Sequence, residues 1–270
     1  MKQLRLIFAN ILAIYRRELQ SYFYSPFAYV IAGIFWLLAG IFFVVIVQTV
    51  TQQAAQNDLA QQQFGMAPQP IDVPQIILQG FLGVLGSISQ VILPMLSMSL
   101  YTEERKRGTL ELLATSPITN WAVAVGKLLA VVTFYLTLIV PLLIYQSLAY
   151  SAANPPMSIA LILVGHGGLV LLAAVILSLG MFISSLTDNT IIAAVMTFAL
   201  ILVLWIFDII AKSVGGDLGS VLTYLSPVEH FNSLTQGVIK TNSLVLFATY
   251  IFLGIYLTAQ SIDAFRFQRS

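Results

Sequence analysis

Of the chain's 12 basic and 11 acidic side chains, six fall within the nine residues Glu103-Glu104-Arg105-Lys106-Arg107-Gly108-Thr109-Leu110-Glu111. Glu103 with Arg107, and Arg107 with Glu111, stand four apart, the spacing at which opposite charges support a helix. Leu110, Leu112 and Leu113 give the part after Gly108 an apolar side, and Ser116-Pro117 closes the stretch. A loop that only anchors topology does not need carboxylates, guanidinium groups, a glycine break and leucines together. That combination suits a docking surface for a partner protein. Other chemistry finds little support. There is no Cys, which excludes thiol catalysis, thiolate metal sites and disulfides. No G-x-x-x-x-G-K-[ST] occurs, since Gly126-Lys127 is followed by Leu128. Without a phosphate-cradling loop the chain is expected not to be an enzyme and to bind no cofactor or metal. An intramembrane enzyme would need paired Asp, a Ser/His pair or a His/Glu cluster at membrane depth. Asp208 stands near a helix end, and His166 has no acid within its own apolar run.

Two weaker constellations remain. Gly83, Ser87, Gln90, Pro94 and Ser97 follow one another at a spacing of three to four, so they share one helix face. Small and weakly polar residues there make either a helix-packing seam or one wall of a translocation path. Gly165-His166-Gly167-Gly168 puts a histidine inside an apolar run, where its neighbours predict tight packing or an unwound turn. Asp208 and Lys212 stand one turn apart and are expected to pair or reach headgroups.

The elements that must position these residues are membrane helices. Of 270 residues, 59% are apolar and 9% charged, with mean hydropathy +0.92, against about 45–50% and about 25% in soluble domains. The net charge is +1, so no basic surface for nucleic acid is present. Continuous apolar runs, each long enough for about 30 Å of hydrocarbon, predict an all-α fold with six spans. They cover about 27–47, 76–101, 122–150, 159–185, 190–212 and 244–262. Lys2, Arg5, Arg16, Arg17, Arg105, Lys106, Arg107, Lys127, Arg266 and Arg269 fall on one side; only Lys212 and Lys240 fall on the other. Both termini and the 102–121 loop are therefore expected in the cytoplasm. Leu4, Phe8, Ile11, Leu12, Tyr15, Leu19, Tyr22 and Phe23 recur at helical spacing and predict an amphipathic interfacial helix over 1–26. Ser25-Pro26 should end it. The first external stretch, 48–75, is Gln-rich and is expected to be a flexible solvated cap. Ser226-Pro227-Val228-Glu229 has the form of a capping box and predicts a short outer helix, with Pro227, Phe231, Leu234 and Val238 on one face. Pro141 is expected to kink the third span.

Glu103 to Ile118, directly after the second of six spans, resembles the signature of type-2 ATP-binding-cassette (ABC) permeases. Within these it is similar to the branch associated with gliding motility and copper-enzyme maturation. The N-terminal helix ending in Tyr24-Ser25-Pro26 and the Ser226-Pro227…His230-Phe231…Gly237-Val238-Ile239 stretch match the same pattern. The resemblance implies one transmembrane domain over 1–270 in the inner (plasma) membrane, pairing with a second six-span permease, identical or paralogous. It also implies a cytoplasmic ABC ATPase that holds ATP and Mg²⁺. Glu103, Glu104, Arg105, Arg107, Thr109, Leu110, Glu111 and Leu112 would then form the coupling surface towards that ATPase, beside an elbow helix at 1–26. The outer helix would belong to a gate. The implied function is ATP-coupled transport, with export favoured; the alternative is an ATPase anchor in a motility or envelope-assembly complex that moves no solute. The Gln-rich 48–75 stretch departs from the branch pattern.

Overall fold

The computed structural model describes residues 2–64, 72–109, 118–151, 153 and 156–267. These residues form ten helices and no strand. They are α1 (Lys2–Tyr24), α2 (Pro26–Phe64), α3 (Val73–Ser97), α4 (Ser99–Lys106), α5 (Asn120–Ser151), α6 (Ile159–Leu186), α7 (Thr190–Val214), α8 (Gly216–Leu225), α9 (Pro227–Thr235) and α10 (Thr241–Phe267). Six stretches are long and apolar enough to cross a membrane, with α3 and α4 together making the second. The end of the bundle that carries α1, α4 and Lys127 is called the basic end below.

Helix α1 ends at Tyr24, and Pro26 opens α2 at the first helical position, where its missing N–H costs nothing. The apolar residues of α1 divide between two directions. Ile11 and Ile14 press on Gly126 of α5, where a Cβ would meet Ile14 Cγ2 at 2.9 Å and Ile11 O at 3.1 Å. Phe8 and Leu12 point away from the bundle and stay exposed, as an interfacial helix requires.

The first span differs from its sequence expectation. Helix α2 does not stop near Val47; it continues for 39 residues, about 58 Å at 1.5 Å per residue. Gln48 to Phe64 contains no Gly or Pro, and Gln and Ala are good helix formers, so nothing ends the helix before Gly65. The stretch expected to be a flexible cap is therefore helical through Phe64, and 65–71 lies outside the described residues.

Helix α6 is the hub. It packs against α3, α5, α7, α9 and α10, and it runs unbroken through Gly165-His166-Gly167-Gly168. Of the two expectations for that stretch, tight packing is the one found. A Cβ on Gly165 would run into Leu82 Cδ1, and one on Gly168 would sit 2.8 Å from Leu234 Cβ. On α10, a Cβ at Gly254 would lie 2.6 Å from the backbone carbon of Ser178. Helix α5 continues through Pro141, and Trp36 Nε1 donates to Leu138 O at 2.9 Å three residues before it.

Candidate functional site

At the basic end a lysine is buried among three helices. Lys127 is about two turns inside α5 and 2% exposed. Its ammonium donates to Glu18 Oε1 of α1 at 3.1 Å, to Glu104 Oε1 of α4 at 3.1 Å and to Leu100 O at 2.7 Å. A lysine has three N–H bonds, and each finds an acceptor. Nζ also lies 4.9 Å from the centroid of the Tyr101 ring, within cation–π range. Glu18 and Glu104 keep only 13% and 12% of their side chains exposed. Arg17 stands 4.0 Å from Glu104 Oε1, so two cations face two carboxylates. A buried charge is tolerated only when paired and hydrogen-bonded in this way.

The same cluster is bound to its neighbours by backbone carbonyls and hydroxyls. Tyr22 Oη donates to Leu96 O at 2.9 Å, and its ring stacks on Phe134 at 5.1 Å. Burial, with Glu18 and then Glu103 nearby, pushes the Tyr22 hydroxyl well above the ordinary phenol range, so it remains a donor. Helices α3 and α4 meet at Met98, which keeps helical dihedrals (φ −59°, ψ −34°), and α4 has no side-chain cap of its own. Ser184 Oγ of α6 takes that part: it accepts from Tyr101 N at 2.9 Å and Thr102 N at 3.2 Å and donates to Met98 O at 2.9 Å. Arg105 Nη1 donates to Ser185 O at 2.8 Å, where α6 ends. Asn120 Nδ2 donates to Asp263 Oδ1 at 2.6 Å, tying the start of α5 to the end of α10.

The residues singled out in the sequence thus divide. Glu104 and Arg105, expected on the partner-facing surface, have intramolecular hydrogen bonds to Lys127 and Ser185 O. Glu103 and Arg107 pair at 3.6 Å as expected and stay largely open, at 55% and 74% side-chain exposure. Thr109 is exposed and donates through its amide and its hydroxyl to Glu104 O. Gly108 has φ +68°, the left-handed conformation that ends a helix and that glycine adopts without strain. Leu110, Glu111 and Leu112 lie outside the described residues. Sequence spacing marks Lys127 only as one of the basic charges of its side and gives Glu18 no role. A lone Lys within an apolar run was itself the signal, because such a charge needs a partner.

The second-span stripe also divides. Ser97 is buried where α3 meets Gly180 and Thr197, a packing seam. Gly83 has open space beside it, and Ser87 is exposed and spends its hydroxyl on Gly83 O. Gln90 lines a small apolar cleft with Leu172, Ile176, Leu204 and Pro227. His166 is buried, and its Nδ1 lies 2.8 Å from Ile162 O. The structure does not bring it together with the stripe through any hydrogen bond among the described residues. Asp208 is buried near the end of α7, and the Lys212 side chain lies outside the described set.

At the opposite end the serine half of the expected capping box forms, and Ser226 N donates to Thr223 O. Ser226 Oγ accepts from Glu229 N at 3.3 Å, and Pro227 opens α9. Phe231 packs on Gly86 and Leu234 on Gly168, so α9 is wedged between the second and fourth spans. Val238 leaves the expected face, because α9 ends at Thr235 and the turn at Gly237, φ +78°, exposes it. His230 holds the wedge, with Nδ1 2.8 Å from Ser243 Oγ and Nε2 2.9 Å from Tyr224 O.

Residues 12–270 match the family described as ABC-2 family transporter protein. The chain belongs to that family. A comparison with curated proteins returned no match. As an ABC-2 permease the chain is a multi-pass membrane subunit of an ABC transporter, a family whose members associate with an ABC ATPase. The match covers α1 from Leu12 onward and every span, so the Lys127 cluster and the α9 wedge both fall inside the family domain.

Proposed function

We propose that the polar cluster around Lys127 receives the motion of a cytoplasmic ABC ATPase and distributes it into the membrane helices. The ATPase binds ATP and Mg²⁺ and presses on the 102–118 segment. Glu103, Arg107 and Thr109 are exposed to meet it, with Leu110, Glu111 and Leu112 following in sequence. Glu104 carries the displacement through Lys127 to α5 and α1, and Arg105 carries it to the end of α6. A second six-span permease, identical or paralogous, completes the pathway in the plasma membrane, with both termini cytoplasmic. Spans 2 to 4 then switch access from one side to the other, and the substrate is exported. The observation that carries this reading is one buried ammonium that bonds α1, the α3–α4 junction and α5 at once. A displacement of α4 must move α1 and α5 or break a desolvated ion pair.

Exchanging Glu103 and Arg107, as Glu103→Arg with Arg107→Glu, keeps their i, i+4 pair and inverts the charge presented outward. The variant is expected to insert and melt as the parent does, while ATPase co-purification falls at least tenfold. Retention of the ATPase at the parent level would overturn the assignment of this surface. In vesicles with the ATPase, nucleotide-dependent solute movement is expected; turnover without movement would instead favour an anchoring role.

A further inference from the structure

A cavity of about 430 Å³ lies between α1, the start of α2 and the α3–α4 junction, within the range of about 300–1,000 Å³ typical of ligand sites. Its two walls differ in character. One carries Arg17, Glu18, Glu103, Glu104, Arg107 and Lys127; the other carries Phe27, Ala28, Met95 and Leu96. On the charged wall three cations balance three carboxylates, so a simple anion or cation would leave one sign in excess. A zwitterion would not.

One atom of the charged wall lacks a partner. Glu104 Oε2 is buried and accepts no hydrogen bond among the described residues, although Oε1 serves Lys127. A desolvated carboxylate oxygen without a donor is unfavourable, and the stable remedy is an N–H placed against it. Arg17 and Arg107, each with 74% of its side chain exposed, present guanidinium groups whose geometry matches phosphate oxygens. Phe27 and Met95 are exposed at 42% and 37%. They mark where the first and second spans begin to be apolar, so they form the rim on the hydrocarbon side. Charge of both signs above an apolar exit is the profile of a phospholipid, not of a soluble ion.

We propose that this cavity holds the headgroup of a phospholipid bearing a primary ammonium. The phosphate lies on Arg17 and Arg107, the ammonium donates to Glu104 Oε2 and Glu103, and the acyl chains leave past Phe27 and Met95. The site shares Glu103 and Arg107 with the surface proposed to meet the ATPase, so lipid and ATPase compete for these side chains, and the site is tested on the chain without its ATPase.

The full chain, purified in detergent without its ATPase, is titrated with phosphatidylethanolamine, phosphatidylcholine and phosphatidylglycerol, and occupancy is read by native mass spectrometry. Phosphatidylethanolamine is expected to bind at least tenfold more tightly than the other two, because choline has no N–H and glycerol has no charge. The Arg17→Gln/Arg107→Gln variant should lose at least tenfold of that affinity. Glu103→Gln, at an exposed position, should reduce the preference over phosphatidylcholine. Equal binding of the three lipids, or parental affinity in the double variant, would overturn the site. Soluble O-phosphoethanolamine should fail to displace the lipid at comparable concentration; displacement would overturn the lipid as the source of the ligand.

Discussion

Replacing Lys127 by Met keeps the volume of the side chain and removes its charge. Both Glu18 Oε1 and Glu104 Oε1 lie 3.1 Å from one ammonium, which places them within about 6 Å of each other. Two carboxylates at that distance repel by about 3 kcal/mol at an effective dielectric near 20. Removing one member of a buried ion pair costs about 3–5 kcal/mol in general, because the remaining charge stays desolvated. With about 2–4 °C per kcal/mol for chains near this length, the melting temperature in detergent should fall by at least about 6 °C. The triple change Lys127→Met, Glu18→Gln, Glu104→Gln removes every charge of the triad, and such replacements are often close to neutral. It should recover most of the loss. Melting followed by tryptophan fluorescence checks both. A single variant within about 1 °C of the parent, or a triple variant no better than the single, would refute the buried-triad argument.

Gly254→Ala should destabilise by about 1–3 kcal/mol, because the new methyl meets Ser178 backbone on α6; Gly33→Ala, with nothing within 4 Å, should raise the melting temperature slightly. Ser184→Ala removes the hydroxyl that accepts from the Tyr101 and Thr102 amides, at about 1–3 kcal/mol, while Met98 O keeps the Thr102 hydroxyl. Amide exchange in 99–106 should rise at least tenfold, with little change in α5.

The spans were legible because hydrocarbon leaves little choice. A continuous apolar run such as Phe27 to Val47 must be helical to satisfy its backbone groups. The cap at Ser226 and the break at Gly108 were legible too, since each rests on local backbone chemistry. The extent of α2 was not. Low apolarity over Gln48–Phe64 says that a segment faces water, and helix propensity decides its backbone independently of that. The cluster was half legible. The 103–111 run announces itself by charge density, but the direction of each side chain depends on which helix packs behind it. Glu104 turns inward because α5 offers Lys127 there, 23 residues along the chain. Glu18, 109 residues from Lys127, could be paired with it only by a fold that lays α1 across α5.

The two ends of the bundle are held by different forces, and that difference bears on how motion could pass through it. At the basic end, α4 is fixed to α1, α5 and α6 by directional bonds: an ammonium with all three donors used, a serine that caps a foreign helix, an arginine on a terminal carbonyl. These bonds lose most of their strength with small displacements. At the opposite end, α9 rests Phe231 and Leu234 on Gly86 and Gly168. Apolar contact is non-directional, and a surface without side chains opposes sliding weakly. On the proposed function, a push on α4 would travel as a rigid-body displacement of α5 and α6, with relative movement cheapest where α9 meets the second and fourth spans. The stiff end suits the receipt of force, and the glycine-lined end is where the same displacement can open a gap.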